Sequence, residues 1–259
     1  MRSAPEKPDR NELLLFTRAA GDGKDAVVRS FLEKYPSAVN ELDVYDKTAL
    51  TWAAAGGHKA VVALLLENGA RPDVSDEANY AELLFAADHG YAEITGLLLK
   101  HGANANAKDV HGTTPLMKAA INGHRDVALL LLEAGATVNQ NSGGLTPLIL
   151  AARSGYAETV ALLLERGARP DDGNQYGQTA LMLSAESGRK DIVELLLGAG
   201  ADIGIQDKRS LTAETYARNK GHDALARLIA GAPAEARLKI IRARRPSRPL
   251  LKKRTPPGS

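Results

Sequence analysis

Apolar positions along this chain follow a helical period and then stop at glycine, several times over. Val61, Leu64, Leu65 and Leu66 fall on one side of a helix, and Ile192, Leu195, Leu196 and Leu197 repeat the arrangement. Leucine triplets stand at 64–66, 97–99, 130–132, 162–164 and 195–197, at spacings of 33, 33, 32 and 33. Each runs into a glycine (Gly69, Gly102, Gly135, Gly167, Gly200), the residue that most readily takes the left-handed conformation ending a helix. Ahead of each triplet lies a shorter apolar stretch that closes on its own glycine, at Gly57, Gly90, Gly123, Gly155, Gly188 and Gly221. The pattern predicts tandem pairs of short helices, each pair a helix–turn–helix unit.

A fixed period between about 20 and 50 residues marks a stacked array. Aligned on glycine, 48–70 reads TALTWAAAGGHKAVVALLLENGA, 114–136 reads TPLMKAAINGHRDVALLLLEAGA, 146–168 reads TPLILAARSGYAETVALLLERGA and 179–201 reads TALMLSAESGRKDIVELLLGAGA. AELLFAADHGYAEITGLLLKHGA (81–103) is a worn copy, TAETYARNKGHDALARLI (212–229) keeps the first half, and ELLLFTRAAGDGKDAVVRSFLEK (12–34) keeps only the rhythm. Thr48, Thr114, Thr146, Thr179 and Thr212 are placed to cap the first helix of each unit through their hydroxyls. Pro115 and Pro147 occupy the first helical turn, where a missing N–H costs nothing. Paired alanines, such as Ala53–Ala54 and Ala119–Ala120, leave a slim face for close helix approach.

With this period, the TPLM and TPLI stretches, the Gly-His turns at 57–58, 123–124 and 221–222 and the LLL-x-x-G-A endings, the chain resembles the ankyrin repeat family over residues 11–230, in about seven units. The resemblance implies an all-α solenoid of helix–turn–helix units joined by β-hairpin-like loops that project to one side. It also implies that partners are gripped on the concave side by loop tips and first helices. Residues 1–10 and 231–259 are expected to be disordered flanks.

One unit cannot cover its own leucines, so each copy must bury them against its neighbours. The end units then need polar outer faces, which Lys24, Arg29, Glu33 and Lys34 supply at one end and Arg218, Lys220, Asp223 and Arg227 at the other. Two departures stand out. Ala81 and Glu82 replace the capping threonine and proline, so a softer stretch is expected at 76–90; the loop 137–145 is one residue short and contains NSGG.

Composition narrows the function. With 44% apolar and 25% charged residues the chain is ordinary for a protein with a sizeable core. It has no cysteine, which removes disulfides, thiolate metal sites and a cysteine nucleophile, and fits a reducing compartment. A polar MRSAPEKPDR start without an apolar h-region, and no apolar run near the roughly 18 residues of a membrane span, point to the cytoplasm. The net charge of +2 hides a division: residues 232–259 carry nine basic residues against one Glu, +8, leaving −6 on the rest. RARR and KKR in that tail also fit nuclear import in a eukaryotic cell, or contact with nucleic acid or another anionic surface. The tail could equally rest on the acidic body and screen its binding face.

No nucleophile elbow, phosphate loop or metal-ligand spacing is present, so neither an enzyme nor a cofactor is expected. His58, His124 and His222 fill one structural slot in three units and read as architecture; His89, His101 and His111 are isolated. Asp43, Asp76, Asp109, Asn141, Asn174 and Asp207 recur before loop tips, where Asx side chains hold a turn. The position after the Thr-x-Leu-x run is taken by Trp52, Phe85, Lys118, Leu150, Leu183 and Tyr216, and the resemblance turns it toward the concave side. Leu150 and Leu183 read as packing. Trp52, Phe85, Lys118 and Tyr216, with Tyr45, Tyr80, His111 and Tyr176 near loop tips, form the expected partner-binding set, centred in the N-terminal half. The expectation is thus a monomeric, non-catalytic protein-binding scaffold, with anion association through the tail as the alternative.

Overall fold

The computed structural model describes residues 7–72 and 82–232. Among these lie fourteen α-helices: α1 (Arg10–Gly21), α2 (Asp25–Lys34), α3 (Ala49–Ala55), α4 (Lys59–Glu67), α5 (Glu82–His89), α6 (Ala92–Lys100), α7 (Pro115–Asn122), α8 (Arg125–Glu133), α9 (Pro147–Ser154), α10 (Ala157–Glu165), α11 (Ala180–Glu186), α12 (Lys190–Gly198), α13 (Ala213–Asn219) and α14 (Asp223–Ala230). A short 3₁₀ turn, Pro36–Ala38, follows α2.

The expected devices set the helix ends. Thr48, Thr114, Thr146, Thr179 and Thr212 each accept a backbone N–H three residues on, and Pro115 and Pro147 lie in the first turn. Asp9 and Glu12 form a reciprocal capping box on α1. The second helices have no side-chain cap. Their start is fixed instead by the preceding turn, as where His124 N–H bonds back to Ala119 C=O.

Odd-numbered helices stack on one another in one row and even-numbered helices in a second. The first row is packed more extensively, because its contact faces are alanine: Ala53, Ala54, Ala86, Ala87, Ala119, Ala120, Ala151 and Ala152 are all fully buried. Small side chains on one row and leucines on the other curve a stack toward the small side. Leu65, Leu98, Leu131, Leu163 and Leu196, the middle members of the five triplets, are fully buried between neighbouring units. At about 2 kcal/mol per leucine, one triplet's worth of burial is comparable to the whole stability of a small domain.

The units also lock along their turns. The residue after each turn glycine lies over the turn of the unit before. Tyr156 covers Gly123, His124 covers Gly90, and their rings occupy the space a Cβ would need. His58 Nε2 and His124 Nε2 sit 2.8 and 3.1 Å from the carbonyls of Gly21 and Asp88. These histidines tie unit to unit, as their common register implied.

Among the described residues the loops between units form fingers that hold the isolated bridges Ser142–Leu145 and Gly173–Thr179 but no strand. Asp43, Asp109, Asn174 and Asp207 close them by donating backbone N–H to the carbonyls of Lys47, Thr113, Gln178 and Leu211 over 2.9–3.1 Å. Their side chains hold the tips: Asp109 Oδ1 accepts from His111 and Thr113 N–H, and Asn174 Oδ1 from Tyr176 and Gln178 N–H. Asp76 lies outside the described residues. The shortened loop has a physical answer. Ser142 and Leu145 pair across Gly143 and Gly144, both at positive φ (58° and 85°), which is a two-residue hairpin turn of the kind only such residues allow.

Ala81 lies outside the described residues. The next residue, Glu82, opens α5 almost fully buried and accepts a 2.7 Å hydrogen bond from Thr51 Oγ1 of the preceding unit. The worn copy thus carries its own inter-unit tie, with a carboxylate at the positive end of a helix.

Candidate partner-binding face

Trp52 leaves α3 toward the finger that precedes it, where its indole N–H meets Asp43 Oδ2 at 2.7 Å. The same carboxylate accepts the Thr17 hydroxyl of α1 at 3.0 Å, while its other oxygen takes the N–H groups of Tyr45 and Lys47. Asp43 is buried, and its four donors join α1, the finger and α3 at one point. Tyr45, 63% exposed at the finger tip, meets Trp52 edge-on with ring centroids 6.2 Å apart and an interplanar angle of 78°. Phe85 is half-buried in the next unit, and Lys47 lies 6.0 Å from its ring centre. Tyr45, Trp52 and Phe85 therefore stand on consecutive units, bridged by Lys47. Tyr80 lies outside the described residues.

Farther along, the expected set divides. His111 and Tyr176 are exposed at finger tips, with Val110 beside His111 at 62% exposure. Lys118 is half-buried, its Nζ 3.6 Å from Asp88. Leu150 and Leu183 are buried packing residues, as read.

Tyr216 corrects the expectation. It is buried, and its hydroxyl donates to Asp207 Oδ2 at 2.8 Å while accepting from Gln178 Nε2 at 2.6 Å. Arg209, over its ring at 5.6 Å, completes the cluster. Burial alone would raise the Asp207 carboxyl, but the N–H of Leu211, the Tyr216 hydroxyl and Arg209 outweigh it and hold the group down to about 2. In the last unit the aromatic serves the fold rather than a contact surface.

The sequence reading missed the contribution of α1. Leu14, Leu15, Thr17 and Arg18 form the far wall of a cleft of about 450 Å³ whose near wall is Asp43, Tyr45 and Trp52. Leu15 is 64% exposed. The signal was present in Leu13-Leu14-Leu15-Phe16: at 3.6 residues per turn, four successive large apolar residues cannot all face one core. The Trp52–Asp43 and Tyr216–Asp207 hydrogen bonds share a spacing, each coupling an Asp to a ring donor nine residues later.

The model of one protein family, ankyrin repeats in three copies, matches residues 3–76, 75–142 and 139–207. The BTB/POZ domain-containing protein 3 of Schizosaccharomyces pombe is 40% identical over 62 residues, 24% of this chain and 12% of that protein. Inversin of Danio rerio is 39% identical over 75 residues, 29% of this chain and 7% of that protein. The chain therefore spans only a small part of either curated relative. Among solved structures, the human ASB11 ankyrin repeat domain superposes with a TM-score of 0.75 at 27% identity, over 85% of this chain and 99% of that domain.

Proposed function

The chain belongs to the ankyrin repeat family, and from that premise we propose that it is a non-catalytic scaffold binding one partner protein on the face formed by finger tips and first helices, with its centre in the N-terminal units. One observation carries the reading: Tyr45 and Trp52 are held against each other, half open to solvent, by a buried carboxylate that receives four donors. Ordering cost at these rings is already met by folding, so little entropy is lost when a partner covers them. Aromatics so placed are the usual carriers of interface energy. No helix among the described residues is long and apolar enough to cross a membrane. We place the protein, as a monomer, in a reducing cytoplasmic setting.

Capture of partners from lysate by the intact chain tests this, beside a chain with Tyr45→Ala and Phe85→Ala together and one lacking residues 233–259. Loss of the captured protein with the first variant alone is the expected result. Capture unchanged by that variant overturns the reading. The +8 charge of residues 232–259 supports a second reading, anion association through the tail, in which binding falls steeply with salt. Binding lost only with the tail deletion would favour it.

A further inference from the structure

The cleft at the head of the stack has a composition of its own. Leu14 and Leu15 on α1 face Tyr45 and Trp52 across about 450 Å³, room for one or two large side chains. Its walls are preformed: Asp43 fixes the Trp52 ring, and at Gly21 a Cβ would sit 3.4 Å from Trp52 Cβ, so α1 backs directly on the indole.

Three charged side chains line it: Arg18, Asp22 and Asp43. Asp43 is satisfied by the donors of Thr17, Tyr45, Lys47 and Trp52. Asp22 is held by Lys24 Nζ at 2.9 Å. Arg18 is exposed and forms neither a hydrogen bond nor an ion pair from its side chain among the described residues. Lys24 and, through space, Arg18 lower the Asp22 carboxyl, but no acceptor among the described residues fills the Arg18 N–H donors, a planar fork that matches a carboxylate.

Resting on the concave-face reading, we propose that this cleft docks a short segment of a partner protein in which a bulky apolar side chain is flanked by carboxylates. The apolar residue enters between Leu15 and Trp52, and the carboxylate meets Arg18. The same cation opposes a basic occupant, including this chain's own Lys- and Arg-rich stretch 237–254. That separates this site from any self-association of the tail.

Trp52 is the chain's one tryptophan, so its emission reports on the cleft without labelling. The full chain is titrated with three synthetic peptides: a Phe-Leu core flanked by aspartates, the same core flanked by lysines, and a copy of residues 232–259. The aspartate-flanked peptide is expected to shift Trp52 emission saturably and to bind at least about tenfold more tightly than its lysine twin. Arg18→Glu, at an exposed helical position, should reverse that order, and Leu15→Asp should abolish binding of both. Equal binding of the two cores, or an order unchanged by Arg18→Glu, overturns the acidic chemistry while leaving concave-face binding intact. A shift caused by the 232–259 peptide alone makes the tail the occupant and overturns the proposal. No shift with any peptide also overturns it, whereas the concave-face reading is judged by the capture experiment.

Discussion

Trp52 donates its indole N–H to the Asp43 carboxylate across 2.7 Å, nine residues back in the chain, so the most prominent ring of the proposed binding face is also a beam of the first finger. Tyr216 and Asp207 reproduce the relationship at 2.8 Å in the last unit. Trp52→Phe keeps a ring but removes the donor, leaving Asp43 with three. A hydrogen bond to a charged group contributes on the order of 1.5–3 kcal/mol. Thermal or chemical denaturation of Trp52→Phe should show destabilisation of that size. A variant as stable as the parent would mean the ring is presented without bracing.

Acid should loosen both ends of the stack first. Glu12 is held down to about 2 by the Asp9 N–H, Lys34 and Tyr35, and Asp207 to about 2 by the groups described above. A carboxyl depressed in the folded state stabilises above its unfolded value, 4.5 for Glu12 and 3.8 for Asp207, and that stabilisation disappears as pH falls toward 2. Circular dichroism between pH 5 and about 2 should therefore show terminal melting in that window. The loss should be shallower in a Glu12→Gln, Asp207→Asn chain, and an unchanged slope would refute the assignment.

Two buried hydroxyls among the described residues are wasted. Thr95 Oγ1 and Thr159 Oγ1 have no hydrogen-bond partner, although both side chains are fully buried. The slot of Thr95 holds Val62, Val160 and Val193 in other units, and that of Thr159 holds Val61, Ile94, Val127 and Ile192. Replacing an unsatisfied buried hydroxyl by a methyl of the same shape removes a desolvation cost of about 1 kcal/mol. Thr95→Val and Thr159→Val should each raise Tm, and a lowered Tm in either would show that the hydroxyl has work to do.

Turn and end glycines look alike in sequence but not in space. Gly123 and Gly135 both have left-handed φ (74° and 85°), yet a Cβ on Gly123 would come within 2.3 Å of the Tyr156 ring, and one on Gly135 would meet nothing within 4 Å. Gly135→Ala should cost only the backbone penalty of about 1–2 kcal/mol. Gly123→Ala adds overpacking of about 1–3 kcal/mol and weakens the hold between units. Equal destabilisation of the two variants in denaturant melts would remove the plug-in-turn account.

The worn third unit retains an expectation of softness. Amide hydrogen exchange in α5 should be faster than in α7, whose Thr114 and Pro115 supply the start that α5 lacks in sequence. Equal protection would mean that the Thr51–Glu82 bond fully replaces the cap.

Much of the architecture is local chemistry and was legible. Threonine caps, the proline at a first turn and the glycine at a helix end act within a few residues, so reading 114–123 in order is enough to place α7. The repeated period carried the stacking, because leucines that one unit cannot cover must be covered by the next. Residue type alone put Tyr45, Trp52 and Tyr216 in one candidate set, whereas the structure leaves the first two open to solvent and buries the third. Nothing local separates a ring offered to solvent from one closed beneath Arg209 and Gln178, which lie in the finger and the neighbouring unit.

Taken alone, the sequence determined the unit, its number and its order, since period and turn chemistry leave no other way to bury the leucines. Tertiary structure decided which members of a common register face outward. That choice depends on the partners a neighbouring unit presents: α1 lends Leu15 and Arg18 to the first cleft, while Gln178 crosses from the preceding finger to close the last. Such partners are brought together by stacking across tens of residues, and spacing within one unit does not encode them.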